Sequence, residues 1–195
     1  TDWSRHDRKM VLLGAMRTIY SRIHPRRRSY DYGLPGSYFV TTITHERKPV
    51  FGILRSGGVA LSASGEIATR FWSAVPPRFA GVTIDTFVVM PDHVHAIVSL
   101  SADPNRTATL SQVVGWAKQR TAREIHLIKG EVAVRIWQRS FHERIIRDAD
   151  EFKRIRRYIT ANPERALTNA SYVIRWPRRY GADAPAPLPL PSIEF

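Results

Sequence analysis

Residues 85–100, Asp-Thr-Phe-Val-Val-Met-Pro-Asp-His-Val-His-Ala-Ile-Val-Ser-Leu, constrain the fold of this chain more than any other stretch. Two apolar runs, 86–90 and 93–100, flank Pro91-Asp92. That dipeptide suits a tight turn: proline presets φ, and aspartate bonds its own backbone. The expected structure is a pair of adjacent strands. Strand side chains alternate faces, so His93 and His95 share one face and Val94 takes the other. Two neighbouring imidazoles on an otherwise apolar strand need polar partners, because burial without them is costly. Either they form a satisfied polar pair or they share a metal ion.

The remaining elements follow from periodicity and punctuation. Residues 38–44, Tyr-Phe-Val-Thr-Thr-Ile-Thr, are β-branched and aromatic, a strand after the turn Gly33-Leu-Pro-Gly36. Ser56-Gly-Gly58 predicts a hairpin turn. The spacing of Ile67, Phe71 and Val75 predicts a helix over 61–75, capped by Ser62 or Ser64 and ended by Pro76-Pro77. A second helix spans about 110–128, with Thr109 and Gln112 as a capping box and Gly130 as its stop. Its core stripe is Leu110, Val113 or Val114, Ala117, Thr121 and Ile125. Residues 132–137 and 143–147 are short strand candidates. A third helix starts at Asp148, with Glu151 completing a capping box, and ends near Asn162, because Pro163 disfavours helix in the residue before it.

This order predicts one α+β domain over 36–175, an antiparallel-rich, ferredoxin-like sandwich with helices packed on one face of the sheet. A basic leader, 1–35, precedes it. An extended proline-rich tail, 176–195, follows.

Charge and composition narrow the chemistry. The 195 residues include no cysteine, so thiolate metal sites, disulfides and cysteine nucleophiles are excluded. Any metal must sit on nitrogen and oxygen. Thirty Lys and Arg against 17 Asp and Glu give a net charge of +13, which favours a polyanionic partner. The apolar run 10–16 is too short to span a bilayer. Arg26-Arg27-Arg28, followed by Tyr30 and Tyr32, suits a nucleic-acid strand, with phosphates on charge and bases on rings. Lys118, Arg120 and Arg123 on the second helix and Arg154 on the third are further candidates to line a DNA groove.

On the third helix, Arg154, Tyr158 and Asn162 recur every fourth residue and form one stripe, with Phe152, Ile155 and Ile159 beside it. A tyrosine at the edge of a groove can attack phosphorus in a reversible step. Its phenol is a weak nucleophile at its ordinary pKa of about 10. A metal drawing charge from the phosphate would then be needed. Asn162 offers a hard oxygen ligand for it. The ordinary alternatives are a helix-anchoring tyrosine and a helix-terminal asparagine cap.

Three blocks together carry a family resemblance. Val89-Met-Pro-Asp-His-Val-His95 resembles the His-hydrophobic-His strand of the single-tyrosine HUH transposases. Residues 136–147, Ile-Trp-Gln-Arg-Ser-Phe-His-Glu-Arg-Ile-Ile-Arg, resemble the segment ahead of their tyrosine helix. Arg157-Tyr-Ile-Thr-Ala-Asn-Pro163 resembles the Tyr-Ile-x-x-Asn-Pro signature of the REP-associated tyrosine transposases. With the strand after Pro35, the resemblance covers about residues 25–168. It implies Tyr158 as nucleophile, with His93, His95 and Asn162 as ligands of Mg²⁺ or Mn²⁺. It further implies single-stranded DNA beside a hairpin as substrate, cut through a 5′-phosphotyrosine link. The protein would be a monomer or homodimer in the cytoplasm, at the nucleoid. The competing expectations are a basic nucleic-acid-binding protein with a vestigial site, and a metal-dependent hydrolase in which water attacks.

Overall fold

The β-branched run after Pro35 forms strand β1 (Gly36–Ile43), and among the described residues five more strands, four α-helices and one 3₁₀ turn follow it. The computed structural model describes residues 33–130 and 134–168, which lie in one unit. Arg26, Arg27, Arg28, Tyr30, Tyr32 and the proline-rich segment lie outside the described residues.

A small hairpin, β2 (Gly52–Arg55) and β3 (Gly58–Leu61), turns at Ser56-Gly57 as its glycines predict. Then come α1 (Ala63–Ser73), a one-turn helix α2 (Val75–Arg78), β4 (Val82–Met90), β5 (His93–Leu100), α3 (Leu110–Lys129), β6 (His142–Ile146) and α4 (Ala149–Thr168). The four-stranded sheet runs β4-β5-β1-β6, and every neighbouring pair is antiparallel. Strand β5 is thus inserted between β1 and β4, which α1 connects. With α3 leading to β6, this is the ferredoxin-like split βαβ expected from the element order.

Local chemistry explains each boundary. Ser62 caps α1, its Oγ accepting from the Gly65 N–H at 3.2 Å. Gly65 is required there: a Cβ would lie 2.1 Å from the Phe51 carbonyl oxygen. Pro76 and Pro77 end α1 and also open α2, since the first turn of a helix needs no N–H from them. On α3 the Thr109–Gln112 capping box is formed at one end, and Gly130 closes the other in the left-handed conformation, φ 67°. Both Val113 and Val114 are buried in its stripe.

Four expectations need correction. Strand β4 begins at Val82 rather than 86. A bulge between Ile84 and Thr86 breaks its alternation, leaving Asp85 to accept from Arg156 Nε at 2.8 Å. Residues 134–137 form no strand; Trp137 makes only an isolated bridge to Thr44. Helix α4 does not stop near Asn162 but continues through Pro163 to Thr168. Proline costs one backbone hydrogen bond there. The buried stripe Ile155, Tyr158, Ile159, Asn162 and Ala166 carries the helix across it. Finally, helices cover both faces of the sheet. Phe39, Ile97 and Ile146 pack against Ile155, Tyr158 and Ile159 of α4. The other face presents Val40, Val94, Ala96 and Val98, all fully buried, and its cover is α1 and α3, whose buried stripes pack together. Strand β5 is buried on both sides, so one helical layer cannot hide it.

Candidate active site

The two histidines arrive on a strand whose register is fixed from both sides. His93 lies opposite Ile43 of β1 and Met90 of β4; His95 lies opposite Thr41 and Val88. Their ring centroids stand 4.5 Å apart, on the α4 face of the sheet. Both are buried: His93 is 5% exposed and His95 7%.

Each ring is held at Nδ1. His93 Nδ1 stands 2.6 Å from Asp92 Oδ1, and a carboxylate only accepts, so the nitrogen donates. His95 Nδ1 stands 2.8 Å from Thr41 Oγ1. His95 Nε2 lies 3.4 Å from the Tyr158 hydroxyl, so each nitrogen of this ring faces a hydroxyl able to donate or accept. On His93, donation from Nδ1 to Asp92 leaves Nε2 as the other ring nitrogen, the orientation common to metal-binding imidazoles.

Helix α4 supplies the opposite wall. Phe39 packs edge-on against the Tyr158 ring at 6.0 Å and tilted against His95 at 5.2 Å, wedging phenol and imidazole together. Burial raises the Tyr158 hydroxyl above the ordinary tyrosine value. The Asn162 amide and the Arg165 guanidinium, 5.6 Å over the ring, pull it back down. His95 is held well below its ordinary value, first by burial and then by the neighbouring His93. It is therefore a neutral ligand or acceptor at physiological pH.

Asn162 lies one turn beyond Tyr158 and is 2% exposed. It is not a helix-terminal cap. Its Oδ1 is buried with no hydrogen-bond partner. An orphaned acceptor in a core costs stability unless something occupies it, and a hard cation is such an occupant. Among the described residues no three His, Cys, Asp or Glu side chains cluster to hold a metal. Two imidazoles and an amide oxygen are the donors available.

The proposed DNA contacts separate. Arg120, Arg123 and Arg154 are exposed. Arg120 and Arg123 line a groove of about 460 Å³ with Phe71 and Arg70. Lys118 is a correction: its ammonium donates to the carbonyls of Gln138 at 2.8 Å and Ser140 at 2.7 Å. Burial lowers it to about 8. It ties α3 to the segment before β6. Trp137 Nε1 returns a bond to the Lys118 carbonyl at 3.0 Å.

Sequence reasoning missed Thr41, Asp92, Arg47 and Arg165. In the sequence Asp92 reads only as a turn residue. Arg165 lies two turns beyond Tyr158 on the same side of the helix, past Pro163, where local propensity would end it. Thr41 was readable only with the strand register in hand.

The family described as Transposase IS200 like matches residues 77–162, from the end of α2 to Asn162. A Haemophilus influenzae protein, described as uncharacterized, is 29% identical over 161 residues, covering 74% of this chain and 89% of its own length. A solved structure described as the REP associates tyrosine transposase bound to a REP hairpin superposes with a TM-score of 0.54 at 22% identity, over 73% of this chain and 74% of that one. That likeness establishes the fold. A Deinococcus radiodurans structure aligns at 18% identity over 70% of this chain and 96% of its own, with a TM-score of 0.44, too low to weigh. The mixed sandwich with its antiparallel sheet is thus a fold shared with that solved structure. The match to the IS200-like transposase family over residues 77–162 takes in the His93–His95 strand and the part of α4 that carries Tyr158.

Proposed function

We propose that the chain cuts and rejoins single-stranded DNA through a covalent link to Tyr158, at sites flanked by hairpins of the REP kind. The observation that carries this reading is the 3.4 Å approach of the Tyr158 hydroxyl to His95 Nε2, within a single chain. The phenol and one imidazole thus meet within one chain, and the His93 ring stands 4.5 Å from that of His95.

His93 Nε2, His95 Nε2 and Asn162 Oδ1 would hold Mg²⁺ or Mn²⁺, hard ions that keep positions for phosphate oxygens. When bound, such a cation polarises the scissile phosphate. The chain's own residues do the rest. Tyr158 Oη forms a bond to phosphorus, and the bond from phosphorus to O3′ breaks. The electron pair leaves on O3′, which takes up a proton. One DNA segment then ends in a free 3′-hydroxyl, and the other is a 5′-phosphate ester of Tyr158. Attack by a 3′-hydroxyl reverses the step and releases the tyrosine without external energy. Arg165, over the ring, stabilises the phenolate on both passes. Arg120, Arg123 and Arg154 are among the exposed cations available to the DNA backbone. Among the described residues no helix is long and apolar enough to cross a membrane. The substrate places the protein in the cytoplasm with the nucleoid.

The test is incubation of the full chain with Mn²⁺ and a labelled hairpin bearing single-stranded flanks. A protein–DNA adduct stable to denaturation is expected. Tyr158→Phe should abolish it while DNA affinity changes less than about twofold. Cleavage with no adduct, persisting in Tyr158→Phe, would mean that water attacks. Salt-sensitive binding with no cleavage on any such substrate would mean a vestigial site.

A further inference from the structure

The loop after β1 is strained at a place the reaction gives no reason for. Glu46 and Arg47 both adopt positive φ, 56° and 51°. Non-glycine residues seldom do so singly, and two in succession persist only when their surroundings force them. Here the forcing is visible. Thr44 Oγ1 lies 2.8 Å from the Lys48 carbonyl and 2.9 Å from the Asp92 carbonyl. The Thr44 N–H donates to the same Asp92 carbonyl at 2.9 Å, and the His45 N–H donates to Ile136 at 2.8 Å. The loop is clamped to the Pro91-Asp92 turn at one point and to the segment before β6 at another.

The product of that clamp is the placement of one side chain. Arg47 Nη1 reaches Asp92 Oδ2 at 3.0 Å. The other oxygen of the same carboxylate accepts from His93 Nδ1 at 2.6 Å. Asp92 is 8% exposed, so its charge is largely removed from water and needs a counter-charge. Guanidinium, carboxylate and imidazole form a continuous chain ending at the ring whose Nε2 points away from it. His95 has no such chain; a neutral hydroxyl, Thr41 Oγ1, holds it.

We propose that Arg47 is a positioning residue for His93, acting through Asp92. It holds one oxygen of the Asp92 carboxylate, so that the other stays in place to accept from His93 Nδ1–H and leaves the lone pair on Nε2. The inference rests on reading His93 as a metal ligand for its consequence, but not for its geometry. Partners of this kind typically change metal affinity by about 10- to 100-fold when removed. The conservative replacement, Arg47→Lys, supplies charge without the planar fork and should recover part of the effect.

The experiment uses the full chain and two readouts. The first, without metal, is the ¹⁵N shifts of the His93 ring, which report which nitrogen carries the proton. The second is Mn²⁺ affinity by titration. Arg47→Met is expected to mix the His93 tautomers and weaken Mn²⁺ binding by about tenfold, with Arg47→Lys in between. Glu46→Gly, which relieves strain but keeps Arg47, should leave both readouts unchanged. Wild-type tautomer populations in Arg47→Met would overturn the proposal, whatever the metal does. If the tautomers mix but His93→Ala still binds Mn²⁺ as wild type does, the positioning role stands and the metal reading of His93 falls instead.

Discussion

The two faces of the sheet are built to different rules, although they share the same strands. On the α1–α3 face, Val40, Val94, Ala96 and Val98 are fully buried and apolar, as are Trp72 of α1 and Leu110, Val113 and Ala117 of α3. On the α4 face, one residue away along each strand, lie Thr41, His93 and His95, and His95 meets Tyr158 of α4. A period of two puts a packed core and a reactive pocket on opposite sides of the same backbone. The first face can bear the stability. The second can then keep groups that a core would reject, including an acceptor with no partner.

That division is open to attack by substitution. Trp72→Ala empties the largest fully buried side chain of the α1–α3 face and should cost about 3–5 kcal/mol in urea unfolding. Whatever fraction remains folded should cleave DNA at the wild-type rate per molecule. Lost chemistry in fully folded Trp72→Ala would show that the faces are not separable.

Asn162→Ala should act in the reverse sense. It removes the orphaned Oδ1 and improves helix propensity, but it also removes the amide's hydrogen bond to Tyr158 and leaves a small void, so unfolding free energy should change by less than about 1 kcal/mol while Mn²⁺ affinity drops. A loss of several kcal/mol would mean that the amide serves the packing rather than the pocket.

The histidine side should also show in pH. His95 in the folded chain is held well below 6.5, its ordinary value. As pH falls below 6.5, the unfolded chain takes a proton that the folded chain refuses. The unfolded state binds more protons, so stability decreases with falling pH, by up to about 1.4 kcal/mol per pH unit. Denaturant melts between pH 7.5 and 5 check this, and His95→Gln should flatten the slope. The smallest effect belongs to Lys118→Met. Its ammonium is engaged by two carbonyls rather than displayed, so DNA affinity at low salt should move less than twofold.

How far the sequence reveals this arrangement depends on the range of the forces involved. Turn chemistry and alternation are local, so Pro91-Asp92, the shared face of the histidines and the Thr109–Gln112 cap were readable directly. The termination of α4 was misread because proline's penalty is local, whereas the burial of Ala166 that outweighs it is not. The bulge at Asp85 hid the first residues of β4 for the same reason: an interruption of period reads as an end. Tyr158 and Asn162 could be singled out on their own helix. Their meeting with β5 is a tertiary fact that only recognition of the three-block pattern anticipated. Lys118 shows the opposite failure: a cation on a helix reads as surface until the carbonyls that consume it are seen.

The account turns on whether Tyr158 itself makes the bond to DNA. Proteolysis of the Mn²⁺-dependent adduct and mass spectrometry of the modified peptide decide it. A nucleotide 5′-phosphate attached to the Tyr158 side chain is the expected result. A nucleotide carried by any other residue, or the same adduct formed by Tyr158→Phe, would contradict it.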